Sequence, residues 1–168
     1  RMDQKAGEQV AAAGPSPQPV AAAPDEGEPP ERTLLKDHTV LVGYGRVGSL
    51  VGDALREQAV PFLVIEDADR PQSRLREEHV EMIAGNAASD TILDCANIAA
   101  ANRLIVAIPN AFEAGRIIEL AKAVNPTLII IARAHSDAEV SHLTGLGAGI
   151  VIMGEREIAR GIIQEVAR

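Results

Sequence analysis

Residues 43–48 read Gly-Tyr-Gly-Arg-Val-Gly. That spacing carries chemistry when a strand runs into it and an amphipathic helix leaves it. Both are expected here: Thr39–Val42 is an apolar run of strand length, and Val47, Leu50, Val51, Ala54 and Leu55 recur at the spacing of one buried helix face. Each glycine then has a job. Gly43 permits the tight turn, Gly45 lets a phosphate approach the backbone, and Gly48 lets helix and strand pack closely. Tyr44, Arg46 and Val47 complete the loop. A phosphate there would rest on the helix N-terminus, where unpaired N–H groups and the dipole favour an anion.

Glu66 follows Gly48 by 18 residues, close to the spacing of a ribose-binding acid. Its carboxylate could accept hydrogen bonds from both ribose hydroxyls and would repel a 2′-phosphate. NAD or AMP is therefore favoured over NADP, although Arg70 nearby blunts the repulsion. Asp67 is a neighbouring candidate contact, and with Asp69 it reads as a helix-start residue. Gly85-Asn86-Ala87 ends the third strand, near where an adenine would lie. Asn86 either bonds the base or makes a turn. Ile108-Pro109-Asn110 follows the fourth strand and faces the same crevice, with Asn110 read as a helix cap. Arg133 ends the fifth strand, where it either holds an anionic group or pairs with a neighbouring acid.

Catalytic groups are harder to find. His38 and His79 belong to the wrong edge of the sheet, His142 to a helix surface, and His135 has no evident nucleophile or orienting group beside it. The histidines lack zinc-site spacing, and Cys95 falls in an apolar helical pattern with Ile92, Ala96 and Ala99. The reading is a binding module, not an enzyme.

The elements that must position these residues are legible. Apolar runs of strand length recur at Thr39–Val42, Pro61–Ile65, Val80–Ala84, Arg103–Ile108, Thr127–Ala132 and Gly149–Met153. They are continuous rather than alternating, as expected for strands covered on both faces. Helical patterns separate them, with capping-box spacing at Asn110/Glu113 and Ser136/Glu139. Ile158, Ile162, Ile163 and Val166 form a stripe on the last helix. The expected architecture is α/β: a Rossmann-like, doubly wound, six-stranded parallel sheet with helices on both faces.

Composition narrows the function. Of the 168 residues, 24% are charged and the net charge is −8. Aromatics number three, Tyr44, Phe62 and Phe112. Neither a basic groove nor a stacking platform is available, so nucleic-acid binding is excluded as a reading. No run of 18 apolar residues occurs. Residues 1–37 hold six of the ten prolines, two alanine triplets and −3 of the charge. Such a segment cannot bury enough surface to offset its ordering entropy, so 1–37 reads as a disordered linker and 38–168 as the folded domain.

The run from His38 to Gly48, with Glu66, Gly85-Asn86-Ala87, Ile131-Ala132-Arg133-Ala134 and Met153-Gly154-Glu155-Arg156-Glu157, resembles the RCK N-terminal (TrkA-N) domain. It looks most like the version at the C-terminus of Kef-type monovalent cation:proton antiporters. The resemblance spans 38–168. It implies an adenine nucleotide, AMP or NAD(H), bound on Gly43, Gly45, Gly48 and Glu66. Many members have Asp at the position of Asn86. It also implies a homodimer formed partly through the C-terminal helices, and a glutathione-responsive branch in which Arg133 occupies a motif position. Residues 1–37 would then tether the domain to an upstream membrane transport domain, placing it on the cytoplasmic side of the inner membrane. The alternatives are a peripheral Trk-type potassium-uptake subunit and an NAD-dependent oxidoreductase.

Overall fold

A computed structural model describes residues 27–168. Residues 1–26, which hold most of the expected linker, lie outside the described residues. The chain alternates strand and helix: β1 (Thr39–Val42), α1 (Arg46–Glu57), β2 (Phe62–Glu66), α2 (Asp69–Glu77), β3 (Met82–Ala84), α3 (Asp90–Cys95), a 3-10 turn (Ile98–Ala100), β4 (Arg103–Val106), α4 (Ala111–Val124), β5 (Ile129–Ala134), α5 (Asp137–Gly145), β6 (Ile150–Met153) and α6 (Gly154–Val166). All neighbouring strands are parallel, in the order β3-β2-β1-β4-β5-β6. The order reverses between β1 and β4, which opens a crevice at their carboxyl ends.

Alternate strand residues feed two cores. Val40, Val42, Leu63, Ile65, Leu104, Val106, Ile130 and Ala132 point to one face, where α3, α4 and α5 cover them with Ile92, Ile117, Ile118 and Leu143. The opposite face carries a smaller core of Leu41, Tyr44, Val64, Leu75 and Ala107 beneath α1 and α2. Helices thus lie on both faces, as expected, but the second face is only half covered. Ile129, Ile150 and Ile152, which point that way from β5 and β6, are about half exposed. Continuous apolar character in β5 and β6 therefore does not mean burial on both sides: Ile129, Ile131 and Ile152 need a cover that the rest of the described chain does not supply. Helix α6 leaves the sheet without burying a single residue, and its stripe of Ile158, Ile162, Ile163 and Val166 is 61–83% exposed.

The expected buried face of α1 also differs. Gly48, Ser49, Gly52 and Leu55 are buried, whereas Leu50 is 71% exposed and Val47 stands at the edge. Small residues let α1 lie close to the sheet, and that turns its larger apolar side chains outward.

Residues 30–37 are not loose where the structure describes them. The Thr33 N–H donates to the Cys95 carbonyl at 2.9 Å, the Asp37 N–H to the Ala100 carbonyl at 2.8 Å, and Asn97 Nδ2 to the Leu35 carbonyl at 2.8 Å. Thr33 is buried and Leu35 packs against the main core. Composition averaged over 1–37 conceals this short strap, because Leu35, Thr33 and a few hydrogen bonds suffice to seat it, while Leu34 stays exposed.

Candidate functional site

A cleft of about 640 Å³ opens at the crevice. Gly43, Gly45, Arg46 and Val47 line it from the β1–α1 loop, and Glu66, Asp67, Ala68 and Pro71 from the end of β2 and start of α2. Ala107, Ile108, Pro109, Asn110 and Glu113 come from the β4–α4 connection, and Arg133 comes from β5. Its size is within the usual range for small-molecule sites.

The glycines divide their work as their spacing suggests. Gly43 has φ +89°, a left-handed conformation that any side chain resists. A Cβ on Gly48 would fall 1.9 Å from the Gly43 carbonyl oxygen, so no other residue lets α1 approach β1 this closely. Gly45, at the N-cap of α1, has no atom within 4 Å of where a Cβ would sit, and leaves open space toward the cleft.

The start of α1 is electrostatically unlike the other helix starts. Ser89, Asn110 and Ser136 cap α3, α4 and α5 through their side chains, and α2 and α6 carry acids in their first turns. Among the described helices, α1 alone has neither. No side chain caps its first N–H groups, and Gly45, Arg46 and Val47 at this helix start line the cleft.

Glu66 is buried, and both carboxylate oxygens are in use. Oε2 accepts the Tyr44 N–H at 2.7 Å, while Oε1 accepts the N–H groups of Asp67 at 3.0 Å and Ala68 at 2.9 Å. The carboxylate staples the glycine loop to the start of α2. A carboxylate has about four acceptor positions, so roughly one remains for a ribose hydroxyl rather than two.

Arg133 lies inside β5, which runs on to Ala134, opposite Ile152 of β6. Its guanidinium reaches the cleft and donates to the Ala107 carbonyl at 3.4 Å and toward His135 Nε2 at 3.2 Å. No carboxylate pairs with it among the described residues, so the neighbouring-acid alternative does not hold. His135 instead sits against Glu139, which accepts its N–H at 2.6 Å.

The model of the TrkA-N domain matches residues 39–154. This chain belongs to the TrkA-N domain family. Over 128 residues the domain is 48% identical to the putative cation/proton antiporter YbaL of Escherichia coli, covering 76% of this chain and 23% of that protein. It superposes on the crystal structure of the TrkA-N domain of the inner membrane protein YbaL with a TM-score of 0.76 at 47% identity, covering 79% of this chain and 98% of that one. The Kef C-terminal domain of Shewanella denitrificans in AMP-bound form matches with a TM-score of 0.64 at 25% identity, covering 77% and 79%. The glutathione-regulated potassium-efflux protein KefC of Salmonella paratyphi B is 31% identical over 125 residues, 74% of this chain and 20% of that protein. The chain thus spans only about a fifth to a quarter of these full-length relatives.

Within this TrkA-N domain, most of the expected loop reaches the cleft, but three expected contacts do not enter by their side chains. Tyr44 turns into the smaller core, and only its backbone belongs to the loop. Asn86 folds back so that its Oδ1 accepts the Ala88 N–H at 2.7 Å, which is its turn reading. Ala87 is buried. Gly85 and Ala87 border a small hollow of about 20 Å³ that shares Gly43, Glu66, Asp67, Ile108 and Glu113 with the main cleft. Ile108, Pro109 and Asn110 line the cleft as expected, whereas Pro71 and Glu113 were not expected there. The Asn110/Glu113 spacing predicts a capping box, but Asn110 alone makes the cap, accepting from the N–H groups of Phe112 at 3.0 Å and Glu113 at 3.1 Å. The Glu113 side chain is left to face the cleft.

Proposed function

We propose that this TrkA-N domain is the cytoplasmic nucleotide-binding regulatory part of a monovalent cation:proton antiporter of the inner membrane, joined to an upstream transport domain. AMP or NAD(H) binds on the glycine loop and gates transport. The observation that carries this is the uncapped start of α1, opening beside bare Gly45 into a cleft that also holds Arg46, Arg133 and Glu66. In this reading a phosphate rests on the first N–H groups of α1, between Arg46 and Arg133. The ribose donates one hydroxyl to Glu66, and the adenine lies toward Ile108 and the Gly85–Ala87 corner. Glu66 disfavours NADP by charge. The titratable side chains lining the cleft are three carboxylates and two guanidiniums. The antiporter relatives support the host protein, and the AMP-bound relative supports the nucleotide class.

The domain also works as a homodimer in this reading. The stripe on α6 and the uncovered half-sheet at Ile129, Ile150 and Ile152 are both apolar, and each lacks a cover within the described chain.

Calorimetry with AMP, ATP, NAD+, NADH and NADP tests the site. Binding of AMP or NAD(H), with NADP weaker, is expected; binding of none of them refutes it. Cation flux by the full-length protein in vesicles tests the gating, and flux insensitive to the bound nucleotide refutes that part alone.

A further inference from the structure

Tyr44 stands in the glycine loop, yet its ring is 2% exposed and packs against Leu41, Val64, Leu75 and Ala107, on the side away from the cleft. The ring has room because residue 52 is glycine: a Cβ there would lie 2.6 Å from the ring Cε2. The hydroxyl donates to Glu78 Oε2 at 3.0 Å, just beyond the end of α2. Arg74 places its guanidinium carbon 5.5 Å from the ring centroid and donates through Nε to Glu78 Oε1 at 2.6 Å. It also reaches Asp53 of α1 at 3.7 Å, and Arg56 joins Asp53 at 2.8 Å and Glu78 at 3.5 Å. One tyrosine thus connects the loop to an ion-pair lattice that ties α1 to α2. Burial, and then the Glu78 carboxylate, push the phenol up to about 12, so it stays a donor across the physiological range.

We infer that Tyr44 is a positioning residue for the phosphate loop: held from outside by Glu78 and seated over Gly52, it fixes the backbone of Gly43 and Gly45 in the anion-accepting conformation. This rests on the nucleotide reading above. The reason is entropic. A Gly-x-Gly segment has many accessible conformations, and fixing each residue costs conformational entropy. Tyr44 is held twice, by its N–H on Glu66 at 2.7 Å and by its hydroxyl on Glu78 at 3.0 Å. That ordering is complete before a ligand arrives, so binding need not supply it. The Tyr44 side chain never touches the ligand.

The test compares AMP with adenosine, which lacks the phosphate that the loop would hold. Tyr44→Phe removes the hydroxyl and keeps the ring. Glu78→Gln keeps the shape and removes the charge. Gly52→Ala drives a methyl against the ring. Affinities are read by calorimetry on the 168-residue chain, with adenosine measured by competition against AMP. Tyr44→Phe and Glu78→Gln should each raise the AMP dissociation constant about three- to tenfold, the scale of one partly transmitted charge-assisted hydrogen bond. Adenosine should change by less than about twofold, because it makes no call on the loop amides. Gly52→Ala should act in the same direction if it folds, and the other two variants decide the matter if it does not. Equal losses for AMP and adenosine mean a purely structural tyrosine and overturn the inference, as does an unchanged AMP affinity in Tyr44→Phe. A wild-type chain that binds no AMP overturns the nucleotide reading and this inference with it.

Discussion

Replacing Glu66 should weaken the fold and the site by separable amounts. The carboxylate accepts three backbone N–H groups, at 2.7, 3.0 and 2.9 Å, from two different segments. Each hydrogen bond to a charged acceptor contributes about 1.5–3 kcal/mol, and losses at one group do not add. Glu66→Gln keeps one acceptor oxygen. If that oxygen stays on the Asp67 and Ala68 N–H groups, the new amide NH2 faces the Tyr44 N–H, donor to donor, and about 2 kcal/mol of stability is lost. Glu66→Ala loses all three bonds, but water from the cleft can replace part of them, so roughly 3 kcal/mol is expected rather than the sum. Denaturant midpoints at unchanged slope read this stability. Calorimetry with AMP reads the ribose contact: its loss should cost about 1–3 kcal/mol, or roughly 5- to 150-fold. A destabilised Glu66→Ala that still binds AMP with wild-type affinity would leave Glu66 as a staple only and refute the ribose assignment. If stability is also unchanged in both variants, the staple argument is wrong as well.

Gly45→Ala and Gly48→Ala should fail differently, although both sit in the same loop. The added methyl at Gly45 meets open space in the protein, so thermal stability should hold while AMP binding drops by about tenfold or more from the steric block; at Gly48 it meets the Gly43 carbonyl at 1.9 Å, and stability should fall by about 3 kcal/mol or more. The chain has one tyrosine, so tyrosinate absorbance reports Tyr44 alone and should titrate near 12 rather than near the ordinary 10. Because the folded value is raised, the associated stability is fully present below pH 10 and is lost as pH rises from 10 through about 12; a midpoint near 10 in the folded protein would mean that the phenol is neither buried nor held by Glu78. Ile162→Asp, in the middle of the exposed α6 stripe, should turn a dimer into a monomer in sedimentation without lowering monomer stability, since α6 buries nothing against its own chain; a wild-type monomer would refute the pairing.

Much of the fold was legible because parallel strands and the helices that join them carry strong local signals. β1, α1 and the loop between them were placed correctly by the G-x-G-x-x-G context, and the caps at Asn110 and Ser136 by their side-chain chemistry. Strand ends shifted by up to two residues: β5 was expected to stop at Ala132 but pairs through Ala134, because β6 offers partners as far as Met153. The direction of side chains was less legible. Leu50 fits a buried stripe by periodicity, yet the glycines of α1 rotate the close-packed face away from it. Tyr44 lies between two cleft residues in sequence, but the space over Gly52 that takes its ring arises only when α1 packs beside the loop. The strap at 30–37 was hidden for a similar reason: its anchors, Cys95, Asn97 and Ala100, lie more than 60 residues away in sequence.

The nucleotide cleft and the uncovered half-sheet are not independent surfaces. An apolar groove of about 270 Å³ on the half-sheet is lined by Val51, Ile105, Ile131 and Ile152, and it shares Val47, Ala107 and Arg133 with the cleft. A second copy seated there would meet the same guanidinium that faces the phosphate in the proposed site. Two ligands that contact one group are thermodynamically linked, and the linkage is reciprocal. Its sign follows from what the second copy brings. An apolar stripe such as that of α6 excludes water beside Arg133, lowers the local dielectric and strengthens its attraction for a phosphate. A carboxylate brought to the same place competes with the phosphate and weakens it. AMP affinity measured across the concentration range in which the chain associates separates these cases. Tighter binding by the dimer indicates sealing by the apolar stripe, and weaker binding indicates a competing acid. An affinity independent of chain concentration would mean that Arg133 couples nothing, and gating would then have to pass through another part of the domain.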